Sequence, residues 1–192
     1  MPRPVDEVTH PEREDFADMP SAEPITRVVL IGFMAAGKTT IGRLLAQRLG
    51  WDFIDLDEEI ERRTGLTIPE IFELHGVAEF RRLERILTEE LAGLEHVVLA
   101  PGGGWVTQPD LLDLFGPETL IVWLRISPEA AVERAMRTIT HRPLLANAPD
   151  PVEKARLLIQ EREPLYSLAD ACVDVEGRAI EDVTSEIIAL MH

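Results

Sequence analysis

Arg27-Val28-Val29-Leu30-Ile31-Gly32-Phe33-Met34-Ala35-Ala36-Gly37-Lys38-Thr39-Thr40 is the stretch that decides the fold. After Arg27, Val28 to Ile31 form a short apolar run rich in β-branched side chains, the mark of a strand buried on both faces. Gly32 to Thr39 then matches G-x-x-x-x-G-K-[ST] at every position. From Lys38 to Leu49, Ile41, Leu44, Leu45 and Leu49 recur at helical spacing, and Gly50 stops the helix. A strand, a glycine-bounded loop and a helix in direct succession build a phosphate cradle. Backbone N–H groups turn inward, and the positive helix N-terminus favours an anion. Lys38 is expected between the β- and γ-phosphates of a nucleoside triphosphate, and the Thr39 hydroxyl on Mg²⁺. Met34, Ala35, Ala36, Gly37, Lys38, Thr39 and Thr40 are the expected nucleotide contacts. Ala35 stands where many such loops carry glycine; if the site requires φ > 0, its Cβ costs about 1 kcal/mol.

Outward from this loop, apolar runs alternate with helical patterns. Strands are expected at Asp52–Asp55, Val97–Ala100, Thr119–Leu124 and Cys172–Val175. Helices are expected at Ile68–Leu74, Ala78–Leu94, Pro128–Met136 (with Ser127 as cap), Val152–Tyr166 and Ile180–Met191. This alternation means a five-stranded parallel sheet flanked by helices, an α/β fold in three layers. Residues 1–24 read differently. They hold five prolines and seven acids with no apolar period, so a disordered acidic tail is expected, followed by one domain over residues 25–192. The net charge of −16 disfavours nucleic acid and anionic membrane as partners. No apolar run reaches the roughly 18 residues of a membrane span. A single cysteine, Cys172, rules out an internal disulfide and reads as a small buried hydrophobe. The five histidines share no metal-ligand spacing. A cytoplasmic monomer is expected.

Many triphosphate-binding proteins place a Mg²⁺-organising acid at the end of a later strand. Here that strand ends Leu99-Ala100-Pro101-Gly102-Gly103-Gly104, without a carboxylate. Asp55-Leu56-Asp57 supplies two, which on an extended segment would point the same way at the C-terminal edge of the sheet. Asp55 is then expected to reach Mg²⁺ through water. Asp57 would accept a proton from a substrate hydroxyl, unless it merely caps the helix starting at Glu58. Arg81, Arg142 and Arg162 would each read alone as surface ion-pair partners. Together with the phosphate loop they suggest a carboxylate clamp and an arginine on a mobile lid.

The segments Gly32–Thr40, Asp55-Leu56-Asp57, Gly76–Glu84, Gly102–Gly104, Arg142–Leu145 and Arg162–Tyr166 together resemble the shikimate kinase family, from about Arg27 to the C-terminus. The resemblance implies a P-loop kinase fold with a mobile lid at about 137–149. It implies ATP and Mg²⁺ as cofactors and phosphorylation of the 3-hydroxyl of shikimate, on the route to chorismate and aromatic amino acids. Lys38, Asp57 and Arg142 would be catalytic. Asp57, Arg81, Gly102, Gly103, Gly104 and Arg162 would bind substrate, with Glu84 orienting Arg81 and Phe72 and Phe80 walling the pocket. Arg134 and Arg142 would touch the nucleotide, Arg134 by stacking on adenine, and Arg178 would sit near the base. Trp105 departs from the family pattern and reads as a packing residue beneath the glycines, with a reshaped pocket as the alternative. Two other functions fit parts of the pattern. A kinase for another hydroxy acid such as gluconate would keep the arginines. A ligand-sensing module would be expected to lose Lys38, Asp57 or Arg142, and none is lost.

Overall fold

Val28 and Leu30 pack on one side of their strand and Val29 and Ile31 on the other, and both sides are buried. A strand covered on both faces must lie inside a sheet with helices above and below. The computed structural model, which describes residues 24–137 and 148–192, has that architecture. Its strands are β1 (Arg27–Ile31), β2 (Asp52–Asp55), β3 (Val97–Ala100), β4 (Thr119–Arg125) and β5 (Ala171–Asp174). They run in the order β2-β3-β1-β4-β5, and every neighbouring pair is parallel. The helices among the described residues are α1 (Lys38–Leu49), α2 (Leu56–Thr64), α3 (Ile68–Leu91), α4 (Pro128–Arg137), α5 (Pro151–Tyr166) and α6 (Ile180–Ala189).

Ile41 and Leu45 of α1, Val132 of α4 and Val183 and Ile187 of α6 cover the Val28/Leu30 face. Leu56 and Ile60 of α2 and Ile71, Phe80, Leu87 and Leu91 of α3 cover the Val29/Ile31 face. Each such buried side chain contributes about 1.5–3 kcal/mol of transfer free energy. Trp105, 1% exposed, belongs to this second layer. At the N-terminal edge of the sheet, buried Arg27 bonds to Leu94 O at 2.7 Å and Thr119 Oγ1 at 2.7 Å. The C-terminal ends of the strands, with Asp55 and the loop after β1, lie at the opposite edge.

Three expectations need correction. Asp57 is not on an extended segment: β2 ends at Asp55, and Asp57 already lies in the first turn of α2. The helix called Ala78–Leu94 stops at Leu91, and it joins the preceding one as α3, kinked at Gly76 with φ 81°. Cys172 is exposed rather than buried, because β5 is an edge strand in which Val173, and Val175 just after it, take the core positions. No described helix is long and apolar enough to cross a membrane.

Candidate active site

The loop between β1 and α1 brings its functional groups together as its motif requires. Gly37, at φ 94°, starts α1. Lys38 Nζ donates to Gly32 O at 2.8 Å and Phe33 O at 3.1 Å, inside the loop. The Thr39 hydroxyl donates to Asp55 Oδ2 at 2.7 Å. Ala35 does sit in the left-handed region, at φ 62°. Ala35→Gly is expected to relieve that strain and raise stability by about 1 kcal/mol, a melting-temperature gain of about 2–4 °C by calorimetry.

Asp55 is the helix cap, not Asp57. Its Oδ1 accepts from the backbone N–H of Asp57 at 3.1 Å and of Glu58 at 3.3 Å. One carboxylate thus starts α2 and holds the Thr39 hydroxyl, and Asp57 is left for other work. Burial, reinforced by the charge of Asp55, pushes Asp57 up to about 6, against the pull of Lys38 and Arg81. Its Oδ1 is buried and has no hydrogen-bond partner among the described residues.

The residues after β3 form a strap across this acid. A Cβ on Gly102 would stand 2.8 Å from Asp57 Oδ1, and one on Gly103 3.1 Å from the Met34 backbone nitrogen. A Cβ on Gly104 would collide with the Arg81 guanidinium. Each glycine lets the backbone touch a different part of the site. Arg81 is ion-paired with Glu84, which is fully buried. Burial pushes Glu84 up to about 7 despite that pairing. From α5, Arg162 Nη1 donates to Gly103 O at 3.1 Å and the Tyr166 hydroxyl donates to the same oxygen at 2.9 Å. The Arg162 Nε–H is buried and unpartnered among the described residues. Tyr166 is itself fixed by stacking on Trp123, 5.6 Å between ring centroids.

Asp57 and Glu84 both have folded-state values above their unfolded ones, so the folded protein binds extra protons between about pH 4 and 7. Stability from these groups is therefore full below about pH 4 and is lost as pH rises through 6 to 7. A shift from 3.8 to about 6 amounts to about 3 kcal/mol at alkaline pH. Asp57→Asn is expected to raise the melting temperature at pH 8 by about 5 °C or more, and to change it little near pH 4.

A cleft of about 1110 Å³ runs along the C-terminal edge of the sheet. Met34 to Thr40, Asp55, Asp57, Gly102, Gly103 and Arg134 line it. Arg134 donates to Val175 O at 2.9 Å, and Arg178 lines the same end. Arg81, Gly104 and Arg162 do not line this cleft; they gather on the glycine strap. Phe80 is buried and Phe72, half-exposed, packs edge-on against it. Arg142 and residues 138–147 of the expected lid lie outside the described residues. Sequence reasoning missed Glu61, Thr67 and Ile68, which line the cleft where α2 meets α3. It also missed Gln108, whose amide donates to Glu84 at 3.3 Å. No motif marks these positions; only tertiary packing brings them here.

Comparison with known proteins gives a single answer. The family model described as Shikimate kinase matches residues 34–192. A shikimate kinase of Thermus thermophilus is 44% identical over 165 residues, 86% of this chain and 89% of that protein. The solved structure of shikimate kinase from Acinetobacter baumannii in complex with shikimate superposes with a TM-score of 0.80 at 39% identity, covering 87% of this chain and 93% of that one. A gluconokinase from Sinorhizobium meliloti superposes with a TM-score of 0.57 at 20% identity, a likeness of fold alone. With a complete phosphate loop, the Asp55/Asp57 pair and the glycine strap all in place, the chain belongs to the shikimate kinase family.

Proposed function

We propose that this protein transfers the γ-phosphoryl group of ATP to the 3-hydroxyl of shikimate. The observation that carries the reading is the pair of unmet polar groups on either side of the strap. Asp57 Oδ1 lacks a donor and the Arg162 Nε–H lacks an acceptor among the described residues. A hydroxylated carboxylic acid satisfies both, donating a hydroxyl to Asp57 and accepting from Arg162 and Arg81. In that pose Asp57 takes the hydroxyl proton, the hydroxyl oxygen bonds to the γ-phosphorus, and the bond from that phosphorus to the β–γ bridging oxygen breaks to leave ADP. Lys38, and Arg142 from the lid, would balance charge on the transferring group.

Thr39 and Asp55 offer a hydroxyl and a carboxylate 2.7 Å apart, the hard oxygen donors that suit Mg²⁺. Thr39 would hold the ion directly and Asp55 through water. When bound, Mg²⁺ neutralises charge on the β- and γ-phosphates. The expected setting is the cytoplasm, with the protein acting as a monomer, an acidic tail over residues 1–24 and a lid at about 137–149. The test is an ADP-release assay with shikimate, quinate and gluconate. Turnover with shikimate supports the reading. Turnover with gluconate alone would overturn the substrate assignment, and ATP binding without turnover on any acceptor would favour a sensor.

A further inference from the structure

The turn that follows the glycine strap returns to the clamp at two points. Gln108 Nε2 donates to Glu84 Oε2 at 3.3 Å, the oxygen that also takes the Arg81 guanidinium. The Trp105 indole N–H donates to Thr88 Oγ1 at 3.0 Å, and the Thr88 hydroxyl donates to the Glu84 backbone carbonyl at 2.7 Å. Trp105 also closes the turn, its backbone N–H meeting Gly102 O at 3.0 Å. Glu84 itself is fully buried, and its second oxygen, Oε1, has no hydrogen-bond partner among the described residues. The groups that face it are Arg81 on its own helix, Asp57 from α2 and Gln108 from the turn. A buried carboxylate with both donors on one oxygen has little support for its charge, so each donor matters.

We infer that Gln108 is a positioning residue for the carboxylate clamp: its amide holds the Glu84 carboxylate in place, and Glu84 in turn fixes the Arg81 fork, while Trp105 ties the same turn to α3. The inference rests on the reading of Arg81 as the group that receives the shikimate carboxylate. The Arg81 side chain is 25% exposed, so solvent screens its bare charge, whereas a planar fork recognises a carboxylate only when correctly aimed. A neutral Glu84 leaves the charge of Arg81 intact and removes what aims it.

Two variants test this. Gln108 is partly exposed, so its replacement does not disturb the core. Gln108→Met removes the donor at similar volume, and Gln108→Lys supplies a charged one. The Glu84 carboxyl titration, followed by ¹³C NMR in protein without substrate, is expected to move up by about one pH unit in Gln108→Met and down in Gln108→Lys. In Gln108→Met at pH 7 the KM for shikimate should rise by about threefold to tenfold, with kcat and the KM for ATP nearly unchanged. That deficit should shrink at pH 9, where Glu84 is ionised in both proteins. An unmoved Glu84 titration in Gln108→Met would overturn the inference, as would a KM deficit independent of pH. Absence of shikimate turnover in the unsubstituted protein would count against the substrate reading, while the NMR midpoint would still decide whether Gln108 acts on Glu84.

Discussion

Asp57→Asn is expected to lower turnover of shikimate by about 10²–10⁴-fold, the range that a positioned general base supplies. Binding of ATP should survive, because Asp57 lies outside the phosphate loop and the substitution leaves Lys38 and Thr39 in place. The carboxylate is suited to the role by its surroundings. A value of about 6 leaves it mostly ionised at neutral pH and basic enough to take a proton. The unsubstituted enzyme should accordingly lose kcat as pH falls through about 6, and this acid limb should vanish in the residual activity of Asp57→Asn. Asparagine removes the acceptor charge without altering the shape that Gly102 must clear. The same change is expected to stabilise the fold at pH 8, so activity and stability should move in opposite directions. Near-normal turnover would show that Asp57 is not the base. Steady-state kinetics over pH 5–9, with nucleotide affinity measured by calorimetry, checks both halves.

Arg81→Ala is expected to raise the dissociation constant for shikimate by about 30-fold to 10³-fold, about 2–4 kcal/mol, within the range for losing one partner of a desolvated, hydrogen-bonded charge pair. Part of that cost falls on the protein itself. Glu84 loses its guanidinium while fully buried, and it would take up a proton at neutral pH rather than remain an unpaired charge. Arg81→Lys should recover little, because an ammonium cannot reproduce the fork that lies against Gly104. Affinity for ATP should be unchanged in both variants. Calorimetric titration with shikimate decides the matter, and undiminished affinity in Arg81→Ala would dismiss the clamp.

The phosphate loop, the five strands and the parallel sheet were legible in the sequence because local chemistry dictates them. A glycine-bounded loop after a β-branched run has one reading, and apolar pairs such as Val28/Leu30 and Val29/Ile31 announce a strand buried twice. The strain at Ala35 was foreseeable from a single missing glycine. Which of Asp55 and Asp57 caps α2 was not. Both are acids beside a helix start, and only the path of the chain shows that β2 ends at Asp55, which makes Asp55 the cap. Cys172 failed for a related reason: period-two alternation does not say which face of an edge strand is covered. Gln108 carries no signal of its own, since a glutamine becomes a donor to a buried acid only through packing.

The strap of Gly102, Gly103 and Gly104 has a consequence for how this chain can vary over time. Three neighbours, a carboxylate, a stretch of main chain and a guanidinium, each crowd one of its positions and would have to shift to admit a side chain there. A compensating change that made room at one glycine would leave the other two as constrained as before. Moving the strap away as a whole would surrender its contacts with Asp57, the phosphate loop and Arg81 together. A change in the turn beyond it, at Gln108, would reach the clamp only through Glu84, so substrate preference is open to finer retuning from that side than from the three glycines.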